Sequence, residues 1–128
     1  MPTPVPRGRF GKADRLVRTG EYKRVYNRGY STETPRLRCY VLPSRRGRSR
    51  LGLSVSRKYG DSHLRNRIKR RLREAFRAVR ERLPLPVDLV MVPRRAARSA
   101  CWTEICAEME GLVREALVRR SRPGGRRR

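Results

Sequence analysis

One face of segment 64–77 is apolar and the other is almost wholly cationic, which leaves a chain carrying it few ways to fold. At about 100° per residue, Leu64, Ile68, Leu72, Ala75 and Val79 form one stripe, the side of an amphipathic helix that must be covered. Asn66, Arg70, Arg73 and Arg77 fall opposite. From 65 to 80 there are eight basic residues and a single acid, Glu74. Like charges at helical spacings repel by roughly 0.2–0.5 kcal/mol per pair, so a helix that needed only solubility would interleave glutamate. This one is built to meet a polyanion.

The whole chain agrees. Against 35 Lys and Arg stand 11 Asp and Glu, a net charge of +24 over 128 residues. Only Lys12, Lys23, Lys58 and Lys69 are lysines, and arginine is the side chain whose planar fork fits phosphate and stacks on bases. Such an excess predicts a nucleic acid or an anionic membrane surface as partner. The membrane fits less well, because the apolar stripe is needed for a core and no run of about 18 apolar residues exists to span a bilayer. The N-terminal stretch has no apolar segment of the kind a secretory signal carries. Cys39, Cys101 and Cys106 lack metal-ligand spacing, which points to free thiols in a reducing cytoplasm.

Residues 1–14 read as a flexible basic arm, 15–118 as one domain, and 119–128 as a disordered Arg-rich tail. A helix is expected over 19–28, opened by Thr19 and stopped by Gly29. A strand is expected near 37–42, followed by an Arg/Gly/Ser loop at 43–49 that suits a hairpin. The next strand, 50–57, alternates: Leu51, Leu53 and Val55 face one way, and Gly52, Ser54 and Ser56 face the other, small enough for another backbone to approach. Asp61 or Ser62 then caps the basic helix, which runs to about Leu83 before Pro84 and Pro86. The run 87–92 is nearly continuously apolar, as for a strand buried on both faces, and lies parallel to 50–57 across the intervening helix. A last helix over 100–119 places Trp102, Ile105, Cys106, Met109, Leu112, Val113, Ala116 and Leu117 on one face, with Trp102 read as core. Its other face holds Glu104, Glu108, Glu110 and Glu115, which makes it the least suited to nucleic acid. The fold class is α+β, a single mixed sheet packed with helices in the order α-β-β-(β)-α-β-α.

The string Gly52-Leu53-Ser54-Val55-Ser56-Arg57-Lys58, followed by Arg65-Asn66-Arg67-Ile68-Lys69-Arg70, resembles the protein subunits of bacterial ribonuclease P, marked by an Arg-Asn-Arg helix after such a strand. The resemblance continues through Arg15-Leu16, Glu21-Tyr22, Val25-Tyr26 and Gly29 upstream and from Asp88 to Arg94 downstream, about residues 9–118 in all. It implies a ribosomal-protein-like fold whose strand–helix–strand crossover is left-handed, against the general rule. It also implies assembly with a large catalytic RNA that removes the 5′ leader of precursor tRNA by phosphodiester hydrolysis. The Mg²⁺ would be bound mainly by that RNA and the substrate.

Carried over residue by residue, the resemblance implies two surfaces. Arg57, Lys58, Arg65, Asn66, Arg67, Lys69, Arg70 and Arg73 would lie against the catalytic RNA, gaining affinity from phosphate without reading sequence. Asn66 would either touch RNA or bond the start of its own helix. Tyr22, Tyr26 and Tyr40 would line a cleft for the single-stranded leader, where base–aromatic stacking contributes about 1–3 kcal/mol per base and tolerates any sequence. The competing reading is that these rings merely cover the sheet. Tyr22 and Tyr26, four apart on one helix, would have their rings side by side, and Tyr40 would face away from Cys39 and Val41. Asp61-Ser62-His63 departs from the family's usual Asn-Ala-Val, so Asp61 would be a helix cap or alter a metal contact.

No paired carboxylates, Ser/His/Asp set or clustered metal ligands appear in the sequence, and His63 is its only histidine. Neither a catalytic residue nor a metal ligand is therefore expected in this chain, and no protein partner is evident. A ribosomal protein or general RNA chaperone is the alternative, which would not need three stacking tyrosines. A DNA-binding regulator is disfavoured, because no helix-turn-helix pattern precedes the basic helix.

Overall fold

The computed structural model describes residues 10–120. Residues 1–9 and 121–128, and with them most of the expected arm and tail, lie outside the described residues. Helix α1 (Thr19–Arg28) leads into β1 (Tyr30–Glu33), β2 (Leu37–Pro43) and β3 (Arg50–Leu53). Helix α2 (Ser62–Val79), β4 (Val87–Pro93) and α3 (Trp102–Arg120) follow. The sheet order is β1-β2-β4-β3; β3 and β4 are parallel and the other pairs antiparallel. As expected, β3, α2 and β4 form a crossover between neighbouring parallel strands.

Apart from Asp88, the central strand β4 is apolar on both sides because both sides are covered. Val87, Leu89 and Met91 join Leu37, Cys39, Val41 and Leu51 beneath α2 and α3. Val90 turns the other way, to Leu16 and to Val25 of α1. The α2 stripe behaves as its periodicity predicts: Ile68, Leu72, Ala75 and Val79 are buried, joined by Phe76. Each of the larger side chains among these, withdrawn from water, stabilises the fold by about 1.5–3 kcal/mol. Trp102 packs partly buried against this core. Pro43 and Pro93 sit at opposite ends of the β2–β4 ladder, where a missing N–H interrupts no internal bond.

Several boundaries differ from expectation. Strand β1, which no sequence pattern marked, follows α1 at once through Gly29, where a Cβ would collide with the carbonyl oxygens of Val25 and Val41. Its four residues are too few for alternation to be visible. Strand β3 ends at Leu53 rather than Arg57: after Ser54 donates to the Met91 carbonyl, the chain leaves the sheet into a short 3-10 turn, Arg57–Tyr59. What approaches Gly52 is a side chain, not a backbone; a Cβ there would lie 2.8 Å from the Tyr22 ring. Helix α2 ends at Val79, with a separate 3-10 turn at Arg80–Arg82. The end of the expected arm is fixed to the domain at Phe10 and Asp14: Asp14 is buried, and Phe10 meets the Phe76 ring edge-on at 5.8 Å. Arg119 and Arg120 belong to α3.

Candidate nucleic-acid interface

Helix α1 is fastened to the sheet by one buried arginine. The parallel register sets Arg50 of β3 opposite Asp88 of β4. Arg50 donates to both Asp88 oxygens, through Nε at 3.0 Å and Nη2 at 2.9 Å, and through Nη1 to Glu21 Oε2 at 2.6 Å. These bonds, led by that to Asp88, raise the arginine's pKa further still. Glu21 completes the attachment at the start of α1, where its Oε1 accepts the Val17 and Arg18 amides at 2.9 and 3.0 Å. Those amides foremost, then Arg50, hold the carboxyl pKa at about 2. The helix start is therefore satisfied from its third position by Glu21, with Arg18 rather than Thr19 as the flanking residue.

This attachment sets the tyrosines. Tyr22 reaches over Gly52, and its hydroxyl accepts the Leu53 amide at 3.2 Å. Tyr26 meets Tyr40 of β2 edge-on, with ring centres 4.7 Å apart at 89°. The two α1 rings are thus directed to different strands rather than lying as a pair, because α1 spans the sheet from β3 to β2. All three tyrosines pack against Leu16, Val25 and Val90, yet none is fully buried. They cover the sheet and still offer surface. Tyr40 does lie on the face away from Cys39 and Val41.

The predicted basic residues separate into groups. Asn66, Lys69, Arg70 and Arg73, with Arg77 and its ion-pair partner Glu74, line a groove of about 760 Å³ whose other wall is Phe10 and Gly11. Lys69, Arg73 and Phe10 also border a groove of about 300 Å³ that reaches Tyr22, Leu53 and Arg15. The basic helix and the tyrosine face therefore share a border. Arg73 is partly buried there, and burial, with the charge of Arg15, pushes its guanidinium pKa below the usual value. Arg67 lies elsewhere, with Arg71 and Arg98 around the buried Tyr59. Arg65 turns back to donate to the Gly60 carbonyl at 3.2 Å, while Arg57 and Lys58 are exposed on the 3-10 turn before α2.

Asp61 is the α2 cap: its side chain accepts the Leu64 amide at 3.0 Å. Asn66 is exposed in the larger groove. Phe10, Arg15 and the Glu21–Arg50–Asp88 cluster were not among the predicted site residues. Their roles depend on strand register and on the path of residues 10–16, which no local pattern displays.

The family model for ribonuclease P matches residues 10–117. The chain belongs to the ribonuclease P protein family. It is 36% identical over 104 residues to the ribonuclease P protein component of Clostridium kluyveri, spanning 80% of this chain and 93% of that protein. The counterpart from Desulfovibrio desulfuricans is 38% identical over 104 residues, 78% of this chain and 80% of that one. A Staphylococcus aureus RNase P protein mutant with defective mRNA degradation activity shares the fold at a TM-score of 0.74 and 31% identity, covering 83% and 90% of the two chains. The Thermotoga maritima RNase P protein does so at 0.70 and 26%, covering 78% and 96%.

As a ribonuclease P protein, the chain is the protein component of an endoribonuclease of tRNA 5′-end maturation, and it associates with the RNase P RNA, which carries the catalysis. The ribosomal-protein or chaperone alternative gains no support from these relatives.

Proposed function

We propose that the chain holds the single-stranded 5′ leader of precursor tRNA across Tyr22, Tyr26 and Tyr40 while Arg57, Lys58, Arg65, Asn66, Arg67, Lys69, Arg70 and Arg73 lie against the catalytic RNA. The observation that carries this reading is the shared border: Lys69 and Arg73 flank both the basic groove and the groove that reaches Tyr22. A strand of RNA leaving the catalytic RNA finds phosphate-binding cations and then stacking rings, and the one acid lining the basic groove, Glu74, is paired with Arg77. Neither surface reads base edges, so leaders of many sequences are accepted. The Mg²⁺ that supports hydrolysis sits among RNA and substrate phosphates, since a surface this cationic repels metal ions; the guanidinium groups neutralise phosphates and lower the Mg²⁺ demand. Work in the cytoplasm fits the three free thiols.

The test is leader cleavage of precursor tRNA at low Mg²⁺ by bacterial ribonuclease P RNA, with and without this protein. Cleavage that requires both is expected. The double variant Tyr22→Ala, Tyr26→Ala then assigns the cleft: it weakens binding of precursor tRNA by about tenfold or more and that of mature tRNA hardly at all. Equal losses for the two ligands would remove the leader from these rings.

A further inference from the structure

The tyrosine face does not end at Tyr40. Two residues earlier on β2, Arg38 projects to the same side of the sheet, and its guanidinium carbon lies 5.2 Å from the Tyr40 ring centre. Tyr40 in turn is in edge contact with Tyr26, so a cation terminates a continuous aromatic run. The charge of Arg38 is poorly answered. Its carboxylate partner is Glu33, directly across on β1, but the Nη1–Oε1 separation is 3.6 Å, longer than a hydrogen bond. The same Glu33 oxygen accepts a 2.8 Å bond from Arg94. Arg38 Nε is buried and finds no hydrogen-bond partner among the described residues. Two guanidinium groups thus divide one half-exposed carboxylate, and the one lying on the tyrosine has the weaker share.

We propose that Arg38 is a phosphate-binding residue of the leader cleft and that Glu33 is the internal anion the leader displaces. The ligand is a backbone phosphodiester of single-stranded RNA, next to the base stacked at Tyr40. The guanidinium is already held against the ring, so its outward N–H donors need little ordering to grip a phosphate. Glu33 keeps both arginines in place when no leader is bound and competes with it for them. The proposal rests on the leader-cleft reading above.

The test measures precursor tRNA binding to the reconstituted holoenzyme, using leaders of about two and about eight nucleotides, with mature tRNA as reference. Arg38→Ala is expected to weaken binding of the long leader by about tenfold, the scale of one charge-assisted hydrogen bond, and to leave mature tRNA unchanged. Arg38→Lys recovers part of that loss. Glu33→Gln tightens the long leader by a few fold, a gain that misfolding cannot produce. If Arg38→Ala and Glu33→Gln leave long-leader binding unaltered while the Tyr22→Ala, Tyr26→Ala variant weakens it, Arg38 is excluded and the cleft stands. If the tyrosine variant also fails to separate precursor from mature tRNA, the cleft falls and the Arg38 site with it. Equal effects of Arg38→Ala on mature tRNA would reduce its role to general charge and overturn the proposal.

Discussion

Glu21 serves three donors with one carboxylate: the amides of Val17 and Arg18 and the guanidinium of Arg50. Its pKa in the folded protein, about 2, lies below the ordinary 4.5. A lowered folded-state pKa means that the unfolded chain binds the proton more readily. The stability Glu21 contributes is therefore complete above about pH 4.5 and is lost as the pH falls toward 2. Urea unfolding across that window should show the wild-type midpoint falling with acid and the Glu21→Gln midpoint falling less steeply. An identical slope in the two proteins would mean that other carboxylates account for acid sensitivity here. In the sequence, Glu21 stood out only through family resemblance: its amide partners lie before a helix start expected at Thr19, and its guanidinium partner, Arg50, is far along the chain. Asp61 was readable as a candidate cap, since capping is decided within one helical turn.

At the scale of the element, α2 keeps an apolar and a cationic face apart. Leu72 is fully buried and Arg70 is exposed in the larger groove. Leu72→Ala should cost about 2–5 kcal/mol of stability, read by urea denaturation, with the salt dependence of RNA binding unchanged. Arg70→Ala should leave stability within about 0.5 kcal/mol. It should also weaken binding to ribonuclease P RNA and reduce the slope of log affinity against log salt by about 0.7–0.9, the signature of one lost phosphate contact. An unchanged slope would take Arg70 out of the interface. Both faces were visible from a 3.6-residue period alone. Which cations share a groove was not: Phe10 and Arg15 come from outside the helix, and Arg67 lies on a different flank from Asn66.

For the whole molecule, the Arg50–Asp88 pair joins the two strands on either side of α2, and Glu21 adds α1 to the same cluster. Asp88→Ala leaves a buried cation with Glu21 as its remaining carboxylate, at a cost of about 3–5 kcal/mol. Arg50→Met together with Asp88→Leu should cost less than the sum of the single substitutions Arg50→Met and Asp88→Leu, because neither member of the buried pair is left facing a lost partner, and Glu21 keeps its two amides. Urea denaturation of the two single variants and the double variant closes the cycle; strict additivity would show that the residues act independently. Loss of the pair should also loosen α1 on the sheet and so disturb Tyr22 and Tyr26 without touching either ring.

By itself, the sequence determined what depends on near neighbours: the two faces of α2, the doubly buried β4, the parallel β3–β4 crossover, the polyanionic partner, and the motif that marks the family. Helical and strand periods place side chains by local geometry, and net charge is a sum that needs no fold. The tertiary structure decided what depends on residues meeting from distant parts of the chain. Arg50 finds Asp88 through strand register, Tyr22 crosses to Gly52 while Tyr26 crosses to Tyr40, and Phe10 closes a groove against α2. It also set Arg38 on the Tyr40 ring and left it half a carboxylate, an arrangement that exists only once β1, β2 and β4 lie side by side.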